Sequence, residues 1–499
     1  MDATDTSPDT RLLLAEALAD ASAELQVAHQ RIHALEQEVA LLKKQLAGPT
    51  PAPTPDEPYS LKAEEQRQHA RGRRTKTKES KKQRRGRIAN EEKLKRAEKV
   101  ESVYPEGVPR EHCRLSHVRA VWRLINGRAV LVAYQVFRGP KKRYGVIPGV
   151  LGRSEYGLEI VVELAFLAQQ VGLSFDKLCL TVDFLQNLKL GKSQVEALLK
   201  QLAEHWSEEF EVLCTLLANS LVVHTDETRW SLNSVWAFLS EKARVLFYGV
   251  HKDAATLKEI LDPATFRGTV FSDDAAVYGH FTHAQKCWAH LLRKAIKLTL
   301  QAPGHAGYRA FTDELLLIYR DAKRAGRDRR LGLVGRNRRE KELLRRLIAL
   351  CGPVRREQAG AEGLDHDWWL LAEELIRLAV AAELFTFLHC RAPEQPNGVA
   401  RPLDGTNNEA ERKLRGEAQA RATGRTSKTL SGARRTTVLG SVLESLRLYL
   451  PKYTLGSVID EVRRWQKAGR SCFRELLDRM GTGLPEQSVL DRVLPQPSG

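Results

Sequence analysis

Leu221-Val-Val-His224-Thr-Asp226-Glu-Thr228 opens the stretch whose reading decides the fold. Its apolar start, Leu221 to His224, predicts a strand. Three further strand-like runs follow: Ser234-Val-Trp-Ala-Phe-Leu239, Arg244-Val-Leu-Phe-Tyr-Gly-Val250 and Gly268-Thr-Val-Phe-Ser272. A helical pattern, Ala254 to Leu261, separates the last two. Strand, strand, strand, helix, strand predicts a mixed sheet with helical cover. Two acids stand where strands are expected to end, Asp226 after the first and Asp273 after the last. If those strands are parallel neighbours, both carboxylates emerge at one sheet edge, where open α/β sheets place ligands.

Downstream, residues His290 to Cys390 read as almost wholly helical, with twelve Lys/Arg and four acids between Arg320 and Arg346. A Pro/Gly-rich loop, Arg391 to Gly405, leads to a long helix opening near Thr406-Asn-Asn408, and this helix carries a third acid, Glu411. Hard divalent ions such as Mg²⁺ take a few carboxylate oxygens and complete their shell with water and substrate phosphates. Two such ions ~4 Å apart can serve both the attacking and the leaving oxygen of a phosphoryl displacement. Asp226, Asp273 and Glu411 are the minimal set for that chemistry. Spacing alone leaves the competing roles open, since a strand-end Asp is common as a turn residue and a Glu on an Arg-rich helix as a salt-bridge partner. Glu227, Asp274 and Glu409 are the neighbouring decoys.

Upstream, helical patterns over Leu158 to Val171, Phe175 to Gln186 and Ser193 to Trp206 precede the sheet. The turn Leu188-Lys-Leu-Gly191, with Ser193 as expected N-cap, fits either a helix-turn-helix or an ordinary helical hairpin. Still earlier, His117 to Ile125 and Arg128 to Phe137 flank Asn126-Gly127, the dipeptide of a type I′ hairpin. From Arg67 to Arg87 eleven Lys/Arg face a single acid, almost without aliphatic residues. Such a segment builds no core; it is either a solubility tail or an arm making salt-dependent phosphate contacts. A Pro-rich run, Gly48 to Pro58, separates it from a heptad pattern. In that pattern Leu18, Leu25, Ile32, Val39 and Leu46 recur every seventh residue, with Leu14, Ala21, Ala28, Leu35 and Leu42 between. The seam calls for a partner helix, either in another protomer or on the body of the chain.

Composition agrees. The 499 residues carry 79 Lys+Arg against 62 Asp+Glu, a net charge of +17 that points to a polyanionic partner, nucleic acid first. Seven scattered Cys, none in a Cys-x-x-Cys, argue against a disulfide scaffold or zinc ribbon and for a reduced, cytoplasmic setting. The acidic start leads into no signal-type apolar core, and no 18-residue uncharged apolar run suggests a membrane span.

Three blocks carry a family resemblance. His224-Thr-Asp226-Glu-Thr228, then Ser272-Asp273-Asp-Ala-Ala-Val-Tyr278 leading to Lys286-Cys-Trp-Ala-His290, then Thr406-Asn-Asn408-Glu-Ala-Glu411-Arg-Lys-Leu-Arg415 resemble the signature blocks of the insertion-sequence-66 family of bacterial transposases. The resemblance spans about residues 154 to 449. It implies a DDE-type enzyme with a ribonuclease-H-like α/β core, interrupted by a large helical insertion between Asp273 and Glu411. It further implies that Asp226, Asp273 and Glu411 bind two Mg²⁺ (or Mn²⁺) ions. The implied reaction frees a 3′-hydroxyl at the element's end and directs it onto target DNA. Two departures stand out. The Cys-rich zinc module of many members is reduced to His112, Cys113 and His117, too few for a tetrahedral site, so no structural zinc is expected. Asp274 stands where the family has glycine; Asp273 is taken as the ligand because it continues the strand.

The expected organisation is a coiled-coil oligomerisation helix (1–47), linker and basic arm (48–100), a hairpin module (101–153), and a helix-turn-helix-like DNA-binding region (154–215). The core follows in two parts (216–290 and 401–450) around the insertion (291–400), with a helical tail (451–499). Expected DNA contacts are Arg71, Arg73, Arg74, Lys81, Lys82, Arg84 and Arg85 of the arm, Lys192 and Ser193, and Arg412, Arg415, Arg425 and Lys428 around Glu411. His224, His290, Asn407 and Asn408 are candidates to support the acids rather than to react. Cys287 reads as a buried strand residue, and Trp368-Trp369 as core packing. The expected partners are double-stranded DNA (terminal inverted repeats and target), a second copy of the chain, and accessory proteins of the element. The expected place is the nucleoid-associated bacterial cytoplasm. The competing function is a catalytically inactive, transposase-derived DNA-binding protein.

Overall fold

Four of the strand expectations settle into one sheet, in a computed structural model that describes residue 31 and residues 90–495. The chain divides into two units between Arg87 and Ile88. The heptad helix (Arg31 apart), the Pro-rich run and the seven basic-arm residues fall outside the described residues. The second unit begins with helix α1 (Asn90–Lys95) and strand β1 (Lys99–Val103), earlier than the globular texture of the sequence indicates. β1 pairs in parallel with β3 (Arg128–Arg138), which pairs antiparallel with β2 (Arg114–Ile125). The β2–β3 turn has Asn126 at φ 51° and Gly127 at φ 76°, the two left-handed residues a type I′ turn demands.

Helices α2 (Leu158–Gln169), α3 (Phe175–Gln186), α4 (Lys192–His205) and α5 (Ser207–Ala218) follow. Ser193 is not the N-cap of α4. That position is Gly191, because Gln194 reaches back to accept from the Gly191 N–H at 2.8 Å and starts the helix one residue earlier.

The central sheet comprises β4 (Val222–Arg229), β5 (Ser234–Ser240), β6 (Arg244–Val250), β7 (Thr269–Ser272) and β8 (Ala284–Lys286), with α6 (Ala254–Ile260) between β6 and β7. Its order is β6-β5-β4-β7-β8; β4 and β5, and β5 and β6, are antiparallel, whereas β7 runs parallel to β4 and β8 to β7. The sequence pattern misses β8. Its Ala-Gln-Lys is wholly buried, and Gln285 is held by the Leu384 carbonyl (2.9 Å) and the Phe387 N–H (3.0 Å) from a distant loop. β4 also continues past His224 to Arg229, so Asp226 lies within the strand rather than after it.

One face of the sheet, with Val223, Trp236, Phe238, Phe247 and Val270, packs on α2, α4 and α5 and on the C-terminal helices α13 (Leu455–Ala468), α14 (Cys472–Arg479) and α15 (Val489–Val493). The helical stretch α7 (Trp288–Gln301), α8 (Ala306–Arg327), α9 (Leu333–Glu357) and α10 (Gly363–Val380) has its own core, which takes in Val222 and Phe271 from the other face. Trp368 joins that core with its ring 5.1 Å from Tyr308 and 5.7 Å from Phe311. Helix α11 (Asn408–Ala422) lies on the same face, its Leu414 against Val235, Ala237 and Leu246. Helix α12 (Leu430–Tyr449) closes the β6 edge. Among the described residues no helix is long and apolar enough to cross a membrane.

Candidate active site

Strand alternation separates two neighbouring acids. On β4, Val222, His224 and Asp226 share the face toward α11, and Val223, Thr225 and Glu227 the other. The β4–β7 register pairs His224 with Phe271. β7 ends at Ser272, so Asp273 follows directly on the strand that runs beside β4, and its charge acts on Asp226. Asp226 takes one backbone hydrogen bond, from the Glu227 N–H at 3.0 Å. Asp273 accepts from the Ala275 N–H at 3.1 Å.

Glu411 comes from the first turn of α11, and a short set of bonds holds that helix end against the strands. Asn407, 1 % exposed, donates its side-chain amide to the Thr225 carbonyl at 2.8 Å, one residue before Asp226. Its backbone N–H meets the Cys287 thiol sulfur at 3.1 Å. The Cys287 N–H in turn reaches the Ser272 carbonyl at 2.9 Å, one residue before Asp273. Gly405, at φ 73°, lets the loop pass: a Cβ there would lie 2.8 Å from the Phe387 ring and 2.9 Å from Trp288. Cys287 is therefore buried as expected but caps α7 instead of lying in a strand, since its amide closes the β7 turn.

The electrostatics mark Asp226. Burial raises its carboxyl, and the charges of Glu227, Asp273 and Glu411 push it further, to about 7, against the single opposing bond from the Glu227 amide. Carboxylates from three separated segments thus act on one another, an arrangement relieved by a bound cation; an all-oxygen donor set of this kind fits Mg²⁺ or Mn²⁺. The decoys have partners of their own. Glu227, with 2 % of its side chain exposed, is held by Lys252 and by the Tyr278 hydroxyl on the opposite face. Asp274 is paired with Arg377 of α10, and Glu409 with Arg244 at 2.7 Å.

Glu411 has company that the sequence pattern disclosed only in part, naming His290 and missing Arg293. Arg293 grips both carboxylate oxygens at 2.8 and 3.0 Å, and His290 Nδ1 stands 3.6 Å away. The available signal was position: Arg293 follows His290 by three residues on α7, hence on one helix face. His224 lies tilted against Phe271, 4.6 Å between ring centres, and burial lowers its pKa, opposed by Glu409 and Asp404. It supports the strand rather than joining the acids. Asn408 and Arg412 line a cleft with His224, Arg401 and Asp404.

The expected DNA contacts spread over the surface. Arg415 and Lys428 are exposed, and Lys192 and Ser193 sit exposed at the start of α4, with Lys192 paired to Asp176 at 2.7 Å. Arg425 donates to the Gly172 carbonyl at 3.0 Å and, with Lys428, Lys413 and Arg435, lines an open cleft of about 600 Å³.

Residues 153–365 match the family described as Transposase IS66 family. The chain resembles the IS66 transposases. The match covers less than half of the sequence and includes Asp226 and Asp273; it ends before α11, so Glu411 rests on the geometry above. No curated protein matches the chain. The IS66 resemblance points to a transposase-related function, to DNA as partner and to dependence on a divalent metal.

Proposed function

We propose that this protein is a DNA transposase of a bacterial insertion sequence. It binds the element's terminal repeats and catalyses Mg²⁺-dependent strand cleavage and transfer of the freed 3′-hydroxyl. The observation that carries the reading is Asp226: a carboxyl raised to about 7 by burial and by three other acids, two of them supplied by remote parts of the chain. The strand order β6-β5-β4-β7-β8, three antiparallel strands and then two parallel ones, fits a ribonuclease-H-like core.

In this reading Asp226, Asp273 and Glu411 hold two divalent ions, which would supply Lewis-acid stabilisation to both oxygens of the displacement. The chain's own work is positioning. Asn407 and Cys287 lock the three acid-bearing segments together, and Arg293 holds the Glu411 carboxylate until DNA and metal arrive. Arg412, Arg415, Arg425 and Lys428 neutralise phosphates around the acids; α3 and α4 engage the element's ends as a helix-turn-helix, aided by the basic arm and by pairing of protomers through the heptad helix.

The test is strand cleavage on DNA carrying the element's own ends, with Mg²⁺ or Mn²⁺, for the parent protein and for Asp226→Asn, Asp273→Asn and Glu411→Gln. Cleavage by the parent, lost in each variant while end binding persists, is the expected result. A parent protein that binds ends and never cuts would overturn the enzyme reading.

A further inference from the structure

Glu411 belongs to a second constellation. Cys287 Sγ, a ring nitrogen of His290 and a Glu411 oxygen lie within 4.8 Å of one another, a group with the chemistry of a metal site. The Cys287 sulfur is 3.9 Å from Glu411 Oε1, and His290 Nδ1 is 3.6 Å from the same oxygen. A tetrahedral zinc ion with bonds of about 2.0–2.3 Å needs ligand atoms roughly 3.3–3.8 Å apart, so two of the three edges are already close to the required length. His290 Nδ1 is shielded from solvent and has no hydrogen-bond partner among the described residues. Cys287 stands at the start of α7 and its sulfur takes the Asn407 N–H at 3.1 Å; burial raises the thiol's pKa, and the backbone N–H groups of Asn407, His290 and Ala289 oppose that rise.

We propose that Cys287, His290 and Glu411 form a binding site for a soft divalent cation of the zinc type, with a solvent molecule as fourth ligand. Thiolate plus imidazole selects Zn²⁺ or Co²⁺ over Mg²⁺, which prefers the all-oxygen set of Asp226 and Asp273. Binding forms a metal–sulfur bond and releases the thiol proton to solvent. With three protein ligands, and 38 % of the His290 side chain exposed, the ion is exchangeable and does not hold the fold together. Arg293 bonds both Glu411 oxygens, and it can keep Oε2 when the ion takes Oε1. The consequence is regulatory and rests on the reading of Glu411 as the third catalytic acid. A soft ion seated here withdraws Glu411 from the Mg²⁺ site, so zinc antagonises magnesium.

Cobalt(II) tests the site directly, through the near-ultraviolet thiolate-to-cobalt charge-transfer band that needs no DNA and no activity. The metal-free full-length protein is expected to show that band at one equivalent per chain. Cys287→Ser, which keeps an acceptor for the Asn407 amide, should lose it. His290→Ala, at a half-exposed position, should weaken cobalt binding by at least about tenfold. Arg293→Gln, which frees the carboxylate, should tighten it. A missing band, or one that survives unchanged in both Cys287→Ser and His290→Ala with the fold intact by circular dichroism, overturns the proposal. Cleavage assays at fixed Mg²⁺ with added Zn²⁺ separate the two readings. Mg²⁺-dependent cleavage without a cobalt band sinks this site alone, and a cobalt band in a protein that never cuts sinks the transposase reading alone.

Discussion

Two acids, Glu444 on α12 and Asp226 on β4, show how differently one fold treats a carboxylate. Glu444 on α12, under the β6 edge, is taken out of water and would be raised by burial, yet Lys413 at 2.8 Å, Arg447 and Arg244 hold it below the ordinary carboxylate range. Asp226, on the interior strand β4, is pushed up by burial as well, and its neighbours are three further acids that leave it at about 7. Burial is common to both; the missing counter-charge is what distinguishes the second. A structural acid is neutralised by the protein itself, and a site acid waits for something the protein does not carry. The same contrast recurs one residue away on either strand. Glu227 has Lys252 and Tyr278, and Asp274 has Arg377, whereas Asp226 feels the like charge of Asp273.

The contrast can be broken most decisively by catalysis. Asp226→Asn should lower end cleavage by roughly 10³-fold or more, while Glu227→Gln and Asp274→Asn continue to cut. Equal loss in Asp273→Asn and Asp274→Asn would dissolve the distinction between the strand-end acids. Stability comes next. Glu444→Ala leaves Lys413 without its ion-pair partner in a dry setting, Arg244 keeping Glu409, and should cost about 3–5 kcal/mol by urea unfolding.

Asp226→Asn should do the reverse in metal-free buffer. Because its folded pKa lies above the unfolded value, the folded state binds the extra proton between about 4 and 7, so stability falls as pH rises through that window. At about 1.4 kcal/mol per unit this reaches a few kcal/mol above pH 7. The variant should therefore be the more stable protein at pH 8, the gap should close at pH 4, and Mg²⁺ should raise the unfolding midpoint of the parent more than that of the variant. Glu444 has the opposite sign, its contribution being present at neutral pH and lost as pH falls through its lowered pKa. A parent whose metal-free stability does not fall between pH 5 and 8 would remove the electrostatic basis of the comparison.

The smallest effect concerns the covered edge. Thr437, Ser441 and Ser445, all fully buried on α12, accept from the N–H groups of Tyr248 (3.1 Å), Leu246 (2.9 Å) and Arg244 (2.9 Å) on β6. Four helical residues rise about 6.0 Å and two strand residues about 6.6 Å, so a hydroxyl every fourth residue meets an amide every second one. Ser441→Ala should cost about 1–3 kcal/mol by leaving one buried amide unpaired, with cleavage unaffected by anything beyond stability. Open N–H groups along β6 would otherwise invite pairing with another chain.

Much of this was legible in the residues. The Asn126-Gly127 turn, the strands from Ser234 and Arg244, the helix from Phe175 to Gln186 and the position of Asp273 at a strand end follow from alternation, turn chemistry and helical period, which are settled by neighbours a few residues apart. Other features were not legible, because each joins atoms far apart in the chain. β8 exists because Gln285 is bonded a hundred residues later. Gly191 rather than Ser193 caps α4 because the Gln194 side chain chose between two starts two residues apart.

What the chain determined by itself is therefore most of the segments that become strands and helices, with Asp273 at a strand end and Glu411 in a helix's first turn. Only the tertiary structure decided which of those acids receive a counter-charge, that Arg293 meets Glu411, and that a row of hydroxyls seals the β6 edge. The physical reason is range. Backbone preference is a local free energy written in a handful of residues, whereas compensation of a buried charge or amide is settled by whatever atom the packed chain brings within about 3 Å.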